Sequence, residues 1–363
     1  MMKNSFDKIF VIVFAICFYG FSLLCYIKPA QAVSKEERRK LTQMPDISVD
    51  NIISGQFMDK FEKYATDQIP FRQTLRACKS WFDMYAMGKG DIDRLYINDG
   101  YIVKQEYPLN EESLYHAADR FRYVYDKYLG DSRVYMSIIP DKNYYANGDK
   151  QLKMDYDKLV EIMCDSMEYC EYIDIFPQLS LRDYYVTDPH WKQQNIAPAA
   201  NILLKGMGNK EYWEYSYVYM DKLFYGSYYG QLALPADGDK LAYTIAPYIL
   251  SATAYDYQNN RDIWIYDLAA ANGRDAYEMY LYGSLSLVTI DNQQSNGNRE
   301  LIIFRDSFGS SIAPMLLSGY SRITLVDIRY ISIDILGEYI DFNGKDVLFL
   351  YSTTVLNNSD AIK

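Results

Sequence analysis

From residue 133 onward the chain is punctuated by short apolar runs at 133–139, 171–176, 300–305, 322–328 and 346–351. Val, Ile, Leu and Phe dominate them, continuously in Leu301-Ile302-Ile303-Phe304 and Val347-Leu348-Phe349-Leu350, the pattern of a strand buried on both faces. Stretches with apolar residues at helical spacing lie between or beside them, at 111–128, 152–167, 196–205, 312–317 and 333–340. Strands alternating with helices predict an α/β fold built on a parallel sheet flanked by helices. Functional sites in such sheets form beyond the carboxyl ends of the strands. Upstream, Phe57, Phe61, Tyr64, Leu75 and Trp81 mark a helical region, and Pro70 divides it into two helices. Residues 95–103 read as a hairpin turning at Asn98-Asp99-Gly100.

The N-terminus follows a different pattern. Ile9 to Ile27 is a run of 19 residues without a charge, preceded by Lys3 and Lys8. As a helix it spans about 28 Å, close to the hydrocarbon core of a bilayer. Residues 1–32 are therefore expected to be a membrane-spanning signal anchor. Ala30-Gln31-Ala32 resembles a cleavage site, so a removed signal peptide stays open. Residues 33–55 are polar, contain Pro45 and read as a juxtamembrane linker. The flanking charges conflict with export. Lys28, Lys35, Arg38, Arg39 and Lys40 outnumber Lys3 and Lys8, which by the positive-inside rule keeps the body in the cytoplasm.

Residues 211–297 are rich in Tyr, with turn signals at Ala236-Asp237-Gly238, Asn259-Asn260 and Asn272-Gly273. They read as a mostly β insertion within a body spanning 56–363. Tyr makes up 38 of the 363 residues, and the chain is 49% hydrophobic and 23% charged, which excludes a disordered protein. A net charge of −11 argues against a nucleic-acid partner, since phosphate binding needs a basic field. Five Cys without a CxxC pair argue against a structural zinc site, and no metal or cofactor is expected. Cys164 and Cys170 read either as buried thiols or, in an exported chain, as a pair. With only His116 and His190 present, imidazole chemistry must use one of them.

Three segments carry candidate chemistry. In Asp188-Pro189-His190-Trp191 the carboxylate can orient the imidazole and leave its other nitrogen free as a base. The same loop also reads as a surface turn with a satisfied His. Arg305-Asp306-Ser307-Phe308-Gly309 follows an apolar strand and precedes a helical stretch. Ser307 then sits where free backbone N–H groups can hold an oxyanion, and Gly309 leaves room for a substrate. Alternatively, the segment is simply the N-cap of the next helix. Pro140-Asp141-Lys142-Asn143 leaves another strand at its carboxyl end, so Lys142 or Asn143 can line the same crevice. Together, Ser307, His190 and Asp188 are the parts of an acyl-transfer triad.

At these residues the sequence resembles the DHHW proteins and the SGNH-hydrolase-like alginate O-acetylation proteins. Asp188-Pro189-His190-Trp191 matches the family's Asp-x-His-Trp, and Arg305-Asp306-Ser307 resembles the Gly-Asp-Ser block with Arg305 in place of Gly. Weaker matches lie at Ile69-Pro70-Phe71-Arg72, 97–102, 140–142, Tyr225-Gly226-Ser227 and 327–330. The resemblance implies an SGNH-hydrolase-like sheet and an extracytoplasmic body that moves acetyl groups on a polysaccharide. It also implies a membrane-bound acyl-transfer partner. Ser307, His190 and Asp188 would be catalytic. Phe308, Gly309, Asn143, Lys142, Gly283, Arg329 and Tyr225 would serve the oxyanion hole or the substrate. The aromatic cluster Phe224-Tyr225-Gly226-Ser227-Tyr228-Tyr229 is a candidate glycan rim.

Two functions of different class follow. One is a Ser-dependent O-acetyltransferase, or the related acetylesterase, acting on an exopolysaccharide or cell-wall glycan. The other is a catalytically silent glycan-binding or assembly component of an envelope polysaccharide machine. The complete Asp188, His190 and Ser307 set favours the first.

Overall fold

The apolar runs become the centre of an eight-stranded sheet. In chain order its strands are β1 (Arg133–Ile139), β2 (Glu171–Tyr172), β3 (Thr253–Asp256), β4 (Arg261–Ile263), β5 (Leu287–Asp291), β6 (Glu300–Arg305), β7 (Arg322–Val326) and β8 (Asp346–Ser352). Across the sheet they run β4-β3-β5-β7-β6-β8-β1-β2. The five from β7 to β2 are parallel, and β5, β3 and β4 extend that edge antiparallel. The computed structural model describes residues 2–34, 36, 37, 39–148, 151–209, 215–273, 275–295 and 297–363.

Both faces of the sheet are covered, which explains the unbroken apolar runs. Leu301, Ile303, Ile323, Leu325, Leu348 and Leu350 pack with α3 (Ala197–Gly206) and α4 (Gly309–Leu316). Their sequence neighbours Ile302, Phe304, Val326, Val347 and Phe349 pack on the other side with α1 (Glu111–Tyr128) and α2 (Tyr156–Ser166). Each such fully buried side chain stabilises the fold by about 1.5–3 kcal/mol. Asn110 and Asp155 cap α1 and α2 by accepting the Ser113 and Lys158 N–H groups.

Several boundaries differ from the sequence expectation. The 171–176 run pairs only at Glu171 and Tyr172, because Pro177 opens a 3-10 turn at Phe176–Gln178. The 333–340 stretch is a 3-10 helix, Ile333–Glu338. Helix α4 begins at Gly309 rather than 312, two residues after Ser307. The 211–297 segment, expected as a mostly β insertion, is in part the central sheet itself, with short helices and turns between its strands. Its strands β3, β4 and β5 join the central sheet, and Ser216–Phe224 pairs with Asp239–Ile245 as a separate ribbon. Residues 210–214 lie outside the described residues. The 95–103 hairpin forms as expected, with Asp99 and Gly100 both at positive φ.

The chain divides into two compact units, residues 1–92 with 229–235, and 93–228 with 236–363. In the first, Phe6–Ile27 is helical, has no buried residue and is long and apolar enough to cross a membrane. The Lys28 ammonium donates to the Gln68 and Ile69 carbonyls. Pro70 separates helices Gln56–Gln68 and Arg72–Trp81. Within 33–55, Val33–Ser34 pairs with Arg39–Lys40, and Val49–Ile53 is a short helix. The residues of the candidate active site all belong to the second unit.

Candidate active site

The parallel strands end on one edge of the sheet, and the chemistry-bearing segments leave from there. Asp306 follows β6, and its side chain fixes the turn that follows. One carboxylate oxygen accepts the Phe308 N–H at 3.0 Å, and the other accepts the N–H of Ser352, at the end of neighbouring β8, at 2.8 Å. This clamp presents Ser307 at the mouth of the sheet. Gly309 folds back so tightly that a Cβ there would lie 2.6 Å from Arg305 Cβ. Its lack of a side chain therefore serves the turn, not the room for a substrate expected from the sequence.

The segment Tyr185–Lys192 brings His190 to the same place. Asp188 is buried and lies 2.6 Å from His190 Nδ1, while His190 Nε2 lies 2.7 Å from Ser307 Oγ. An ionised carboxylate only accepts, so Nδ1 carries the proton and Nε2 is left to receive the Ser307 hydroxyl hydrogen. Asp188 is itself held. Its second oxygen accepts the Ser227 N–H at 2.9 Å, and a Cβ on Gly226 would stand 2.2 Å from Asp188 Cβ. Asp239 accepts the Val186 and Thr187 N–H groups at 2.7 and 2.9 Å. The other imidazole of the protein, His116, is elsewhere and bonds Ser359.

The imidazole plane is fixed by aromatic contacts. Tyr277 stacks on it with centroids 3.8 Å apart at 11°, and Phe308 leans on it at 4.8 Å. Ser311 ties these parts together: its Oγ receives the Trp191 indole N–H at 2.7 Å and lies 2.8 Å from the Tyr277 hydroxyl. Trp191 is wholly buried and meets Phe308 edge-on.

Neither a protein-family model nor a curated protein matches the sequence. Solved structures do match. A DHHW family protein from Eubacterium siraeum superposes with a TM-score of 0.59 at 21% identity, covering 75% of this chain and 95% of that one. The fold is that of a DHHW family protein. Bacillus cereus PatB1 is similar at a TM-score of 0.58 and 17% identity, covering 75% of this chain and 99% of PatB1. PatB1 has also been solved with a sulfonyl adduct, a structure that matches at a TM-score of 0.58 and 16% identity over 72% of this chain and 95% of that one.

On this DHHW-type scaffold the remaining sequence candidates fall into two groups. Phe308 and Gly309 adjoin Ser307, but their N–H groups already bond Asp306. The Ser307 N–H has no hydrogen bond among the described residues. Gly283 adopts φ +78, and its carbonyl accepts the Ser310 hydroxyl at 3.0 Å and the Arg305 guanidinium at 3.4 Å. Arg305 is completely buried, 3.7 Å from Asp327. Burial pulls its pKa down.

The second group is engaged in the framework. The Asn143 amide donates to the Leu152 carbonyl at 3.0 Å, and its oxygen accepts the Tyr96 hydroxyl at 2.7 Å. Lys142 is buried and donates to the Tyr185 and Val186 carbonyls at 3.0 and 3.3 Å, just upstream of Asp188. Burial draws its ammonium down to about 7, against the upward pull of Asp188 and Asp239. Arg329 forks onto Asp327 at 2.8 and 2.7 Å. Tyr225 is exposed, whereas Phe224 and Tyr228 of the expected glycan rim are buried. Cys164 and Cys170 are half-buried free thiols. Sequence reasoning missed Tyr277, Asp239 and Ser311. Nothing in the local pattern set Tyr277 apart from the other Tyr residues.

Proposed function

We propose that the protein is a Ser-dependent O-acetyltransferase, or the related acetylesterase, acting on a polysaccharide outside the cytoplasmic membrane. Residues 1–32 would anchor it, 33–55 link anchor to body, and the Asp188–His190–Ser307 line would do the chemistry. The observation that carries this reading is the pair of contacts at His190: Nε2 to Ser307 Oγ at 2.7 Å and Nδ1 to Asp188 Oδ1 at 2.6 Å.

Ser307 Oγ attacks the acyl carbonyl carbon of a donor ester as His190 Nε2 takes the hydroxyl proton. The tetrahedral oxyanion forms beside the unengaged Ser307 N–H, and Asp188 stabilises the imidazolium. His190 returns the proton to the departing alcohol, leaving an acetyl ester on Ser307. A glycan hydroxyl, or water, then attacks that ester as His190 removes its proton. Ser307 leaves with the proton restored. The transferase and esterase outcomes differ only in which acceptor reaches the acyl group.

Two supports stand beside the geometry. The Asp-x-His-Trp and Asp-Ser motifs resemble those of the alginate O-acetylation proteins, and the apolar helix Phe6–Ile27 fits an exported, anchored body. That resemblance also supplies a membrane-bound acyl-transfer partner for the reaction. The test is to incubate the full-length protein in detergent with a chromogenic acetyl ester and with a sulfonyl fluoride, then map adducts by mass spectrometry. Acetyl or sulfonyl mass on the Ser307 peptide is expected. A folded protein that cleaves no ester and labels nowhere near Ser307 overturns the reading and leaves a catalytically silent glycan-binding role.

A further inference from the structure

A second concave surface in the same unit has no part in the reaction above. It is a groove of about 650 Å³ lined by Tyr243, Leu250, Trp264, Tyr266, Asp267 and Tyr282 among others. Such a volume is typical of small-ligand sites, about 300–1,000 Å³. Trp264 is 77% exposed and Leu250 is 71% exposed. Large apolar side chains left this open mark a contact surface for a partner.

The chemistry of the lining selects the partner. An open Trp face stacks on the C–H face of a sugar ring, and Tyr243 and Tyr282 add hydroxyls beside their rings. None of the lining residues is basic, and Asp267 is the one carboxylate among them. Asp267 already accepts the Ala269 and Ala270 N–H groups through one oxygen. The Arg261 guanidinium, 5.2 Å over the Tyr282 ring, is already paired with Asp256 at 3.3 Å, so a uronate or sulfate would meet the Asp267 carboxylate in a chain of net charge −11.

The groove shares its walls with the nucleophile's support. The Gln193 amide donates to the Tyr266 hydroxyl at 3.2 Å and to the Ser311 carbonyl at 2.6 Å. Tyr282 precedes Gly283, whose carbonyl accepts the Ser310 hydroxyl. Leu281, Tyr282 and Gly283 are all left-handed, at φ +50, +58 and +78. Side-chain-bearing residues avoid that region, so this strained run is held by its surroundings where groove and nucleophile helix meet.

We propose that this groove is a binding subsite for a neutral stretch of polysaccharide, placing an acceptor chain beside Ser307. The inference rests on the acetyl-transfer reading for its purpose, but the binding itself does not depend on it. It moves the glycan-contacting aromatics from the expected 224–229 cluster to the 243–282 segment.

The test uses full-length protein in a polyoxyethylene detergent, which carries no competing sugar headgroup. Calorimetric titration with cellohexaose, chitohexaose and an acidic galacturonate hexamer reads binding. At least one neutral hexamer should bind, and the acidic one should bind more weakly. Trp264→Ala should weaken that binding at least tenfold with an unchanged circular dichroism spectrum, while Ser307→Ala binds like the wild type. Three results overturn the proposal: no neutral hexamer binds, Trp264→Ala binds as tightly as wild type, or Trp264→Ala changes only self-association in sedimentation. Cleavage of 4-nitrophenyl acetate separates the two readings. A failed groove leaves Ser307-dependent cleavage in place, and a failed Ser307 mechanism leaves Trp264-dependent binding in place.

Discussion

Tyr277 lies flat on the His190 imidazole, centroids 3.8 Å apart and planes within 11°. The two residues come from separate segments, and the stack sets the plane in which His190 meets both Asp188 and Ser307. It also covers one face of the ring against water. Tyr277→Ala should therefore loosen the imidazole and lower kcat for acetyl-ester cleavage by about 10²-fold, the cost of a misplacement near 1 Å. Tyr277→Phe keeps the stack and loses only the contact with Ser311, 2.8 Å away, so it should stay close to wild type. Steady-state kinetics on the two variants checks the contrast. Equal losses would mean the hydroxyl, not the ring, is what matters.

Gly226 is where the ribbon backbone passes over Asp188. A Cβ there would stand 2.2 Å from Asp188 Cβ and 2.5 Å from its Oδ2, so Gly226→Ala must push the carboxylate away. Overpacking of this kind costs about 1–3 kcal/mol of stability. The activity loss should exceed what the fraction unfolded explains, since His190 loses its orienting partner. Denaturant unfolding alongside kinetics at a temperature where the variant stays folded separates the two effects. Ser227→Ala, which preserves the backbone N–H that bonds Asp188, should be nearly silent.

Much of this was legible in the sequence because it is local. The Asp-Pro-His-Trp loop and the Asp-Ser turn each hold their chemistry within a few consecutive residues, and the strands β1, β6 and β8 are runs that only a two-faced burial explains. What the sequence hid is what long-range packing decides. Asp239 reaches the Val186 and Thr187 N–H groups from more than fifty positions away. Asn143 and Lys142 leave β1 at the correct edge, yet their polar atoms are absorbed by Leu152, Tyr96, Tyr185 and Val186. The rim expected at 224–229 is split for a related reason: Tyr225 is exposed while Phe224 and Tyr228 are buried, and the pattern alone does not say which aromatics lie outside.

Lys142 makes stability depend on pH. Burial lowers its folded pKa from 10.5 to about 7. Between those values the unfolded chain binds a proton that the folded protein does not. Folding is therefore opposed by Lys142 protonation at neutral and lower pH, and this opposition is relieved as pH rises from about 7 toward 10.5. The slope from this one group is at most about 1.4 kcal/mol per pH unit. Lys142→Met lacks it. Unfolding midpoints of wild type and variant at pH 7, 8 and 9 should show wild type gaining on the variant with each step. A constant difference would mean that the buried ammonium keeps its ordinary pKa.

The final expectation concerns the three residues in line. Ser307→Ala deletes one hydroxyl at a strand-to-helix turn whose shape is set by Asp306, through the Phe308 and Ser352 N–H groups. It should remove the acyl adduct while costing about 1 kcal/mol of stability or less, since the hydroxyl contributes one hydrogen bond, to His190 Nε2. His190→Ala should abolish turnover to a similar depth, because residues acting as a unit lose their effect together. The double variant should then be no slower than either single one. Asp188→Asn should be milder than His190→Ala, since the amide can still touch Nδ1 while no longer stabilising the imidazolium. Initial rates with a chromogenic acetyl ester across the four proteins, each checked for folding by circular dichroism, give the comparison. Additive losses in the double variant would show that Ser307 and His190 act independently, and near-full activity in folded Ser307→Ala would remove the acyl-enzyme altogether.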